Sequence, residues 1–151
     1  MAAWITLAAT DLDDYLVAAQ TAALRSAALG GGQTDPFGRV MPDTASFIRQ
    51  KIRSGGFQVS ATANAIPPEL KWAGAYLVIE ALQVRIPALK LTEDQKTQVK
   101  EARRQLDRLA DGKEQPTIPD DPELPPDTQS GFSPSVTPKT LNFSRDQQDG
   151  I

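Results

Sequence analysis

A chain of 151 residues, 40% hydrophobic and 23% charged, is long enough for one self-supporting core with an appended segment. It contains no cysteine and no histidine, which excludes disulfides, thiol nucleophiles, Ser-His-Asp triads and the common zinc sites, so a non-enzymatic role without cofactors is expected. The net charge of −3 is unevenly spread: residues 113–151 hold seven acids, three bases and seven of the 12 prolines, leaving +1 on residues 1–112.

The expected division is therefore a helical body over 1–112 and an extended, acidic, proline-rich arm over 113–151. Neither half has the strong positive charge of a general nucleic-acid binder. Met1-Ala2-Ala3-Trp4-Ile5-Thr6 lacks a basic n-region and a continuous apolar h-region, so no signal peptide is expected.

Thr10 and Asp13 have the spacing of a capping box, with Asp11 and Asp14 adding negative charge where a helix start favours it. Leu12, Tyr15, Leu16 and Ala19 then share a face. A second, alanine-rich run from Thr21 to Leu29 has high helix propensity and stops at Gly30-Gly31-Gly32; periodicity leaves open whether the two runs are one bent helix or two. Asp35-Pro36 reads as N-cap and first helical residue of the next helix, whose firm part is Asp43 to Ser54, with Phe47, Ile48 and Ile52 buried and Gly55-Gly56 as the stop. The polar stretch Gln58–Ala65 alternates weakly, as a short strand would.

Pro67-Pro68-Glu69 opens the most apolar helix, Leu70 to Ile86, and Pro87 closes it. Its apolarity around most of the circumference predicts the centre of a bundle. Lys71, Glu80 and Arg85 interrupt it, and it is too short for a comfortable membrane span. Thr92 and Gln95 cap the last helix, Glu93 to Asp111, which Gly112 ends. Val99, Ala102, Leu106 and Leu109 form its apolar stripe. The fold class expected is all-α: a small bundle of about five helices with a long C-terminal arm.

Several constellations invite functional readings. Gly30-Gly31-Gly32 is followed by Gln33 and preceded by no strand, so it fails as a phosphate loop. Asp11, Asp13 and Asp14 lack the glycine and closing glutamate of a calcium loop. Asn142-Phe143-Ser144 has the form of a glycosylation acceptor, which has no meaning without secretion. Lys96, Lys100, Arg104 and Arg108 recur every four residues opposite the apolar stripe; they form either a solvated face or a charged contact with an acidic partner or DNA. Arg49, Lys51 and Arg53 form a second basic group, at a helix C-terminus where positive charge is favourable in any case. In the arm, Phe132, Val136, Leu141, Phe143 and Ile151 stand in polar, extended surroundings, the pattern of anchors for strand addition or groove docking on a partner.

Trp4-Ile5-Thr6-Leu7, Ala23-Leu24-Arg25-Ser26-Ala27-Ala28-Leu29, Gly32-Gln33-Thr34-Asp35-Pro36, Ile66-Pro67-Pro68-Glu69-Leu70-Lys71 and Ala110-Asp111-Gly112-Lys113 occur in that order. The pattern, across about residues 4–113, resembles the small head–tail adaptor (connector) proteins of tailed bacteriophages, Mu-like prophages included. The resemblance implies a virion structural protein of the neck, assembled in the host cytoplasm as a homo-oligomeric ring, twelvefold in expectation, beneath the portal protein. Such a ring extends the channel through which genomic DNA passes without sequence-specific binding, and it presents a docking surface for a stopper or tail-completion protein. No catalytic residue carries over, and the segment after Lys113 is longer than the family leads one to expect. The alternative is a small helical DNA-binding packaging protein, like a terminase small subunit, using Arg49, Lys51 and Arg53 or the last-helix stripe on phosphates.

Overall fold

The computed structural model describes residues 3–26, 34–84 and 90–123. The described residues form a mostly helical fold with four α-helices: α1 (Ala18–Ser26), α2 (Phe37–Ser54), α3 (Lys71–Gln83) and α4 (Glu93–Ala110). A two-stranded antiparallel sheet, β1 (Ile5–Thr6) and β2 (Ala65–Ile66), pairs Ile5 with Ile66 and Thr6 with Ala65. Short 3-10 turns occupy Ala9–Leu12 and Pro68–Leu70.

The helix expected from Thr10 does not form, which reduces the expected five helices to four among the described residues. Asp11, not Asp13, supplies the capping carboxylate: its Oδ2 accepts the Ala8 N–H at 2.8 Å. Its other oxygen lies 2.8 Å from Lys71 Nζ, to which Asp14 also turns at 3.2 Å. Leu12 and Leu16 are drawn into the core, and the 3-10 turn at Ala9–Leu12 packs against α3.

α2 starts earlier than its firm part suggests. Asp35 Oδ1 accepts the Phe37 N–H at 3.0 Å and Pro36 already has helical angles (φ −65°, ψ −20°), the capping that Asp35-Pro36 predicts. Pro42 is accommodated within it. Ile48 and Ile52 are fully buried, but Phe47 is 39% exposed, contrary to expectation, because it stands one position off the buried Ala45–Ile48–Ile52 stripe.

α3 packs on both α2 and α4 and buries Ala73, Gly74, Ala75, Leu77, Val78, Ile79 and Leu82, as a central helix should. Small residues at its start let other elements close in: a β-carbon on Gly74 would stand 2.9 Å from Leu7 Cδ1 and 3.3 Å from Ile66 Cδ1. No helix among the described residues is long and apolar enough to cross a membrane. α4 follows its sequence closely: the Thr92–Gln95 capping box is closed in both directions (3.0 and 3.2 Å), and Val99, Ala102, Leu106 and Leu109 are all buried. The Gly30-Gly31-Gly32 stop and the Pro87 stop lie outside the described residues.

The segment expected to leave the body at 113 does not do so at once. Residues 113–123 lie back across the body, with Pro116 and Pro119 buried. The reason is pairing: Ala61 N–H donates to the Asp121 carbonyl at 2.6 Å and Glu123 N–H to the Val59 carbonyl at 2.7 Å, a β-like contact that satisfies the polar loop 59–62.

Where α2 ends, it meets the end of α4 at close range. A β-carbon on Gly55 would fall 2.1 Å from the Leu109 carbonyl oxygen, although Gly55 itself has ordinary right-handed helical angles (φ −76°). Gly55→Ala should therefore destabilise the protein by about 1–3 kcal/mol through overpacking. Gly38→Ala, in open space on α2, should be neutral or stabilising by up to about 1 kcal/mol. Urea unfolding of the two variants, read against the wild type, checks the contrast.

Candidate functional site

The most constrained polar centre is built around Arg49. Ala45, Ile48, Arg49 and Ile52 fall at i, i+3, i+4 and i+7, so the guanidinium is carried on the buried face of α2 and is only 7% exposed. It donates from one terminal nitrogen to the carbonyls of Thr62 and Ala65, both at 3.0 Å, and from the other to the Ser60 carbonyl at 2.7 Å. Asn64 adopts a left-handed conformation (φ 61°) that lets the turn curl around the fork. Glu123 approaches to 4.0 Å. Burial, then the neighbouring Arg53 charge, press the pKa of Arg49 below its ordinary value, while Glu123 and Asp121 oppose the shift; the group stays cationic at any physiological pH.

A strap, residues 113–123, closes over this centre. Gly112 (φ 70°) turns the chain off α4, with Lys113 N–H donating to the Arg108 carbonyl at 2.9 Å. Gln105 Nε2 donates to Glu114 at 3.1 Å, Thr117 N–H donates to Glu69 at 2.6 Å, and the Trp4 indole N–H donates to the Thr117 carbonyl at 2.9 Å. Asp121 is the hub of the last stretch: its carboxylate accepts from Ser60 Oγ and Thr62 Oγ1, each at 2.7 Å, and from Thr62 N–H at 3.1 Å. These bonds hold its pKa below the ordinary carboxylate value, and the hydrogen bond from Arg53 does the same for Glu123. The strap delivers the chain at residue 123 to one fixed point, beside the C-terminal half of α2.

The sequence-predicted basic residues are thereby separated. Arg49 is interior and is not a surface contact. Lys51 pairs with Asp107 at 2.7 Å and Arg53 with Glu123. Lys96, Lys100, Arg104 and Arg108 do share the exposed face of α4; Lys96 meets Glu93 at 2.6 Å, Arg104 lies 3.9 Å from Glu101, and Arg108 lies 3.6 Å from Glu114. Phe132, Val136, Leu141, Phe143 and Ile151 lie outside the described residues. Among the described residues, no three of the Asp and Glu side chains converge as a metal site would require.

Arg49 carried a readable signal, its place on the Ala45–Ile52 stripe, which assignment to a helix C-terminus obscured. The Ser60–Thr62–Asp121 cluster carried none, because Asp121 stands about 60 positions from the other two.

Two expectations follow. Arg49→Met should lower the unfolding free energy by about 3–5 kcal/mol, because three carbonyls, those of Ser60 and Ala65 in buried bonds, lose their donor. Arg49→Lys should recover only part of the loss, since an ammonium cannot reproduce the fork; denaturant midpoints decide it. The second concerns acid. Asp121 and Glu123 ionise more readily in the folded state than in the unfolded chain, so their stabilisation is complete above the unfolded values near pH 4 and fades as pH falls through the lower folded values. Asp121→Asn should flatten the acid limb of a plot of melting temperature against pH.

No family model matches the chain, and neither the curated proteins nor the solved structures searched contain a match.

Proposed function

We propose that this chain is a head–tail adaptor of a tailed bacteriophage. In this reading the helical body assembles as a ring beneath the portal protein, and residues 124–151 fasten each copy to the portal or to an adjoining subunit. The far side of the ring receives a stopper or tail-completion protein. The genome passes through the channel without sequence-specific contacts. The work is structural: many copies, each adding a modest interface, turn a weak single contact into firm attachment.

The observation that carries the reading is the ordered set of adaptor-like motifs across residues 4–113, joined to an acidic, proline-rich segment that begins from an anchored strap. An attachment segment works best when its root is fixed, because less freedom is lost on docking. The rival, a DNA-binding packaging protein, would put Arg49, Lys51 and Arg53, or the α4 stripe of Lys96, Lys100, Arg104 and Arg108, on phosphates. Arg49 is spent on internal carbonyls, and Lys51 and Arg53 are paired, which leaves the rival only the exposed stripe, on a body with a net charge of +1.

Deleting residues 128–151 spares the body and the strap. The truncated chain should melt like the full chain but fail to co-sediment with portal-bearing heads, whereas the full chain co-sediments. Equal retention of both would make the helical body the attachment device. A shift of DNA by the small, unassembled protein at moderate salt would favour the rival.

A further inference from the structure

Residues 117–123, the far stretch of the strap, close over the body with little apolar anchorage. Pro119 is the one buried residue among them, so hydrogen bonds and charge must hold them down. Three carboxylates supply most of that hold. Glu69, in the turn at Pro68–Leu70, accepts the Thr117 N–H at 2.6 Å. Asp121 accepts from Ser60 Oγ, Thr62 Oγ1 and Thr62 N–H. Glu123 accepts from Arg53 and has Arg49 at 4.0 Å. The other bonds are from the Trp4 indole to the Thr117 carbonyl and between the main chain and Val59 and Ala61.

Protons act on this stretch more directly than on the body beneath it. Asp121 Oδ1 takes one donor and Oδ2 takes two. A proton on either oxygen turns an acceptor that faces a donor into a second donor. On Glu123 a proton removes the charge that separates two cations of α2, Arg53 and Arg49. The remaining elements against this stretch bring no cation: the loop 59–62 has no charged side chain, the Trp4 indole is neutral, and the turn offers Glu69. Asp120, on the stretch itself, is exposed. The helical body has no such dependence at its centre. Its core is apolar, and Arg49 is held by carbonyl oxygens, which do not titrate. Its own ion pairs, such as Lys71 with Asp11 and Arg103 with Glu80, join partly exposed side chains, where a pair contributes little.

We propose that residues 117–123 are a latch that acid opens while the helical body stays folded. Opening uncovers the main-chain edge at Val59–Ala61 and releases the fixed root of residues 124–151. The latch is a property of the fold and is independent of what residues 124–151 attach to. Its sign follows from the closed-state bonds, which favour the ionised forms of Asp121 and Glu123. Closure is complete above the open-chain values of about pH 4, and it is lost as pH falls through the lower closed values.

Amide hydrogen exchange on the full-length protein, followed by NMR from about pH 7 to about pH 3 and corrected for the intrinsic rate at each pH, tests the latch. The N–H groups of Ala61, Thr117 and Glu123 report the strap; those of Ile48, Val78 and Leu106 report α2, α3 and α4. The strap amides should lose about tenfold or more of their protection at a pH where the helix amides keep theirs and the helical circular dichroism is unchanged. Asp121→Asn with Glu123→Gln should weaken strap protection at neutral pH and remove most of its pH dependence. Arg53→Gln, at a half-exposed position, should move opening to higher pH. Strap amides unprotected at neutral pH, strap and helix protection lost together, or an unchanged pH dependence in the Asp121→Asn/Glu123→Gln variant would overturn the proposal.

Discussion

The guanidinium of Arg49 organises the polar interior of this protein. A planar, permanently charged group inside a helical body must find acceptors, and it finds three backbone carbonyls on one turn. Those carbonyls belong to the loop that leads into β2, so the arginine sets the path of residues 60–65. That path places Val59 and Ala61 where the strap pairs with them, and β2 where β1 joins it. Remove the charge and the loop, the sheet and the strap lose a common reference. Apolar packing alone would hold α2, α3 and α4 together, but it would not specify how the loops lie over them.

How much of this was legible depended on the distance over which each interaction acts. α4 was readable almost to the residue, because its capping box, apolar stripe and terminal glycine are all local. α3 was readable as the central helix because nearly every side chain agreed. The first helix was misread, since Thr10 and Asp13 satisfy the local pattern while Asp11 and Asp14 answer to Lys71, 57 or more positions away. Phe47 was misread for a different reason: a helix with apolar residues at 47, 48 and 52 leaves one of them off the stripe, and the loop contacts of Arg49 decide which. The strap was invisible because proline content and acidity describe a chain's preferences in isolation, not the Ser60, Thr62 and Trp4 groups waiting for it.

The charges show the same logic in aggregate. Basic side chains grouped together in the sequence serve separate purposes: Arg49 supports a loop, Lys51 bridges two helices, Arg53 secures the strap, and the α4 stripe faces outward with weak local partners. Surface pairs of that last kind contribute about 0–1 kcal/mol each. The stripe is therefore inexpensive to redirect towards an acidic neighbour, whereas the α2 cations are not. In an adaptor, this separation would leave the stripe open to ring contacts while the α2 cations keep the root of the C-terminal segment in place.

The bond from the Trp4 indole to the Thr117 carbonyl spans 113 positions, and it joins the earliest part of the body to the last. At a synthesis rate of about 5–20 residues per second, Thr117 is made roughly 6–23 seconds after Trp4. The helices have ample time to collapse in that interval, since helix formation takes about a microsecond, but the indole must wait without its acceptor. The body is thus finished by its final described segment: a nascent chain lacking the strap can pair β1 with β2, but its Trp4 indole N–H has no acceptor. If residues 124–151 attach the protein to a partner, as proposed above, chain order alone makes that attachment follow the closing of the strap.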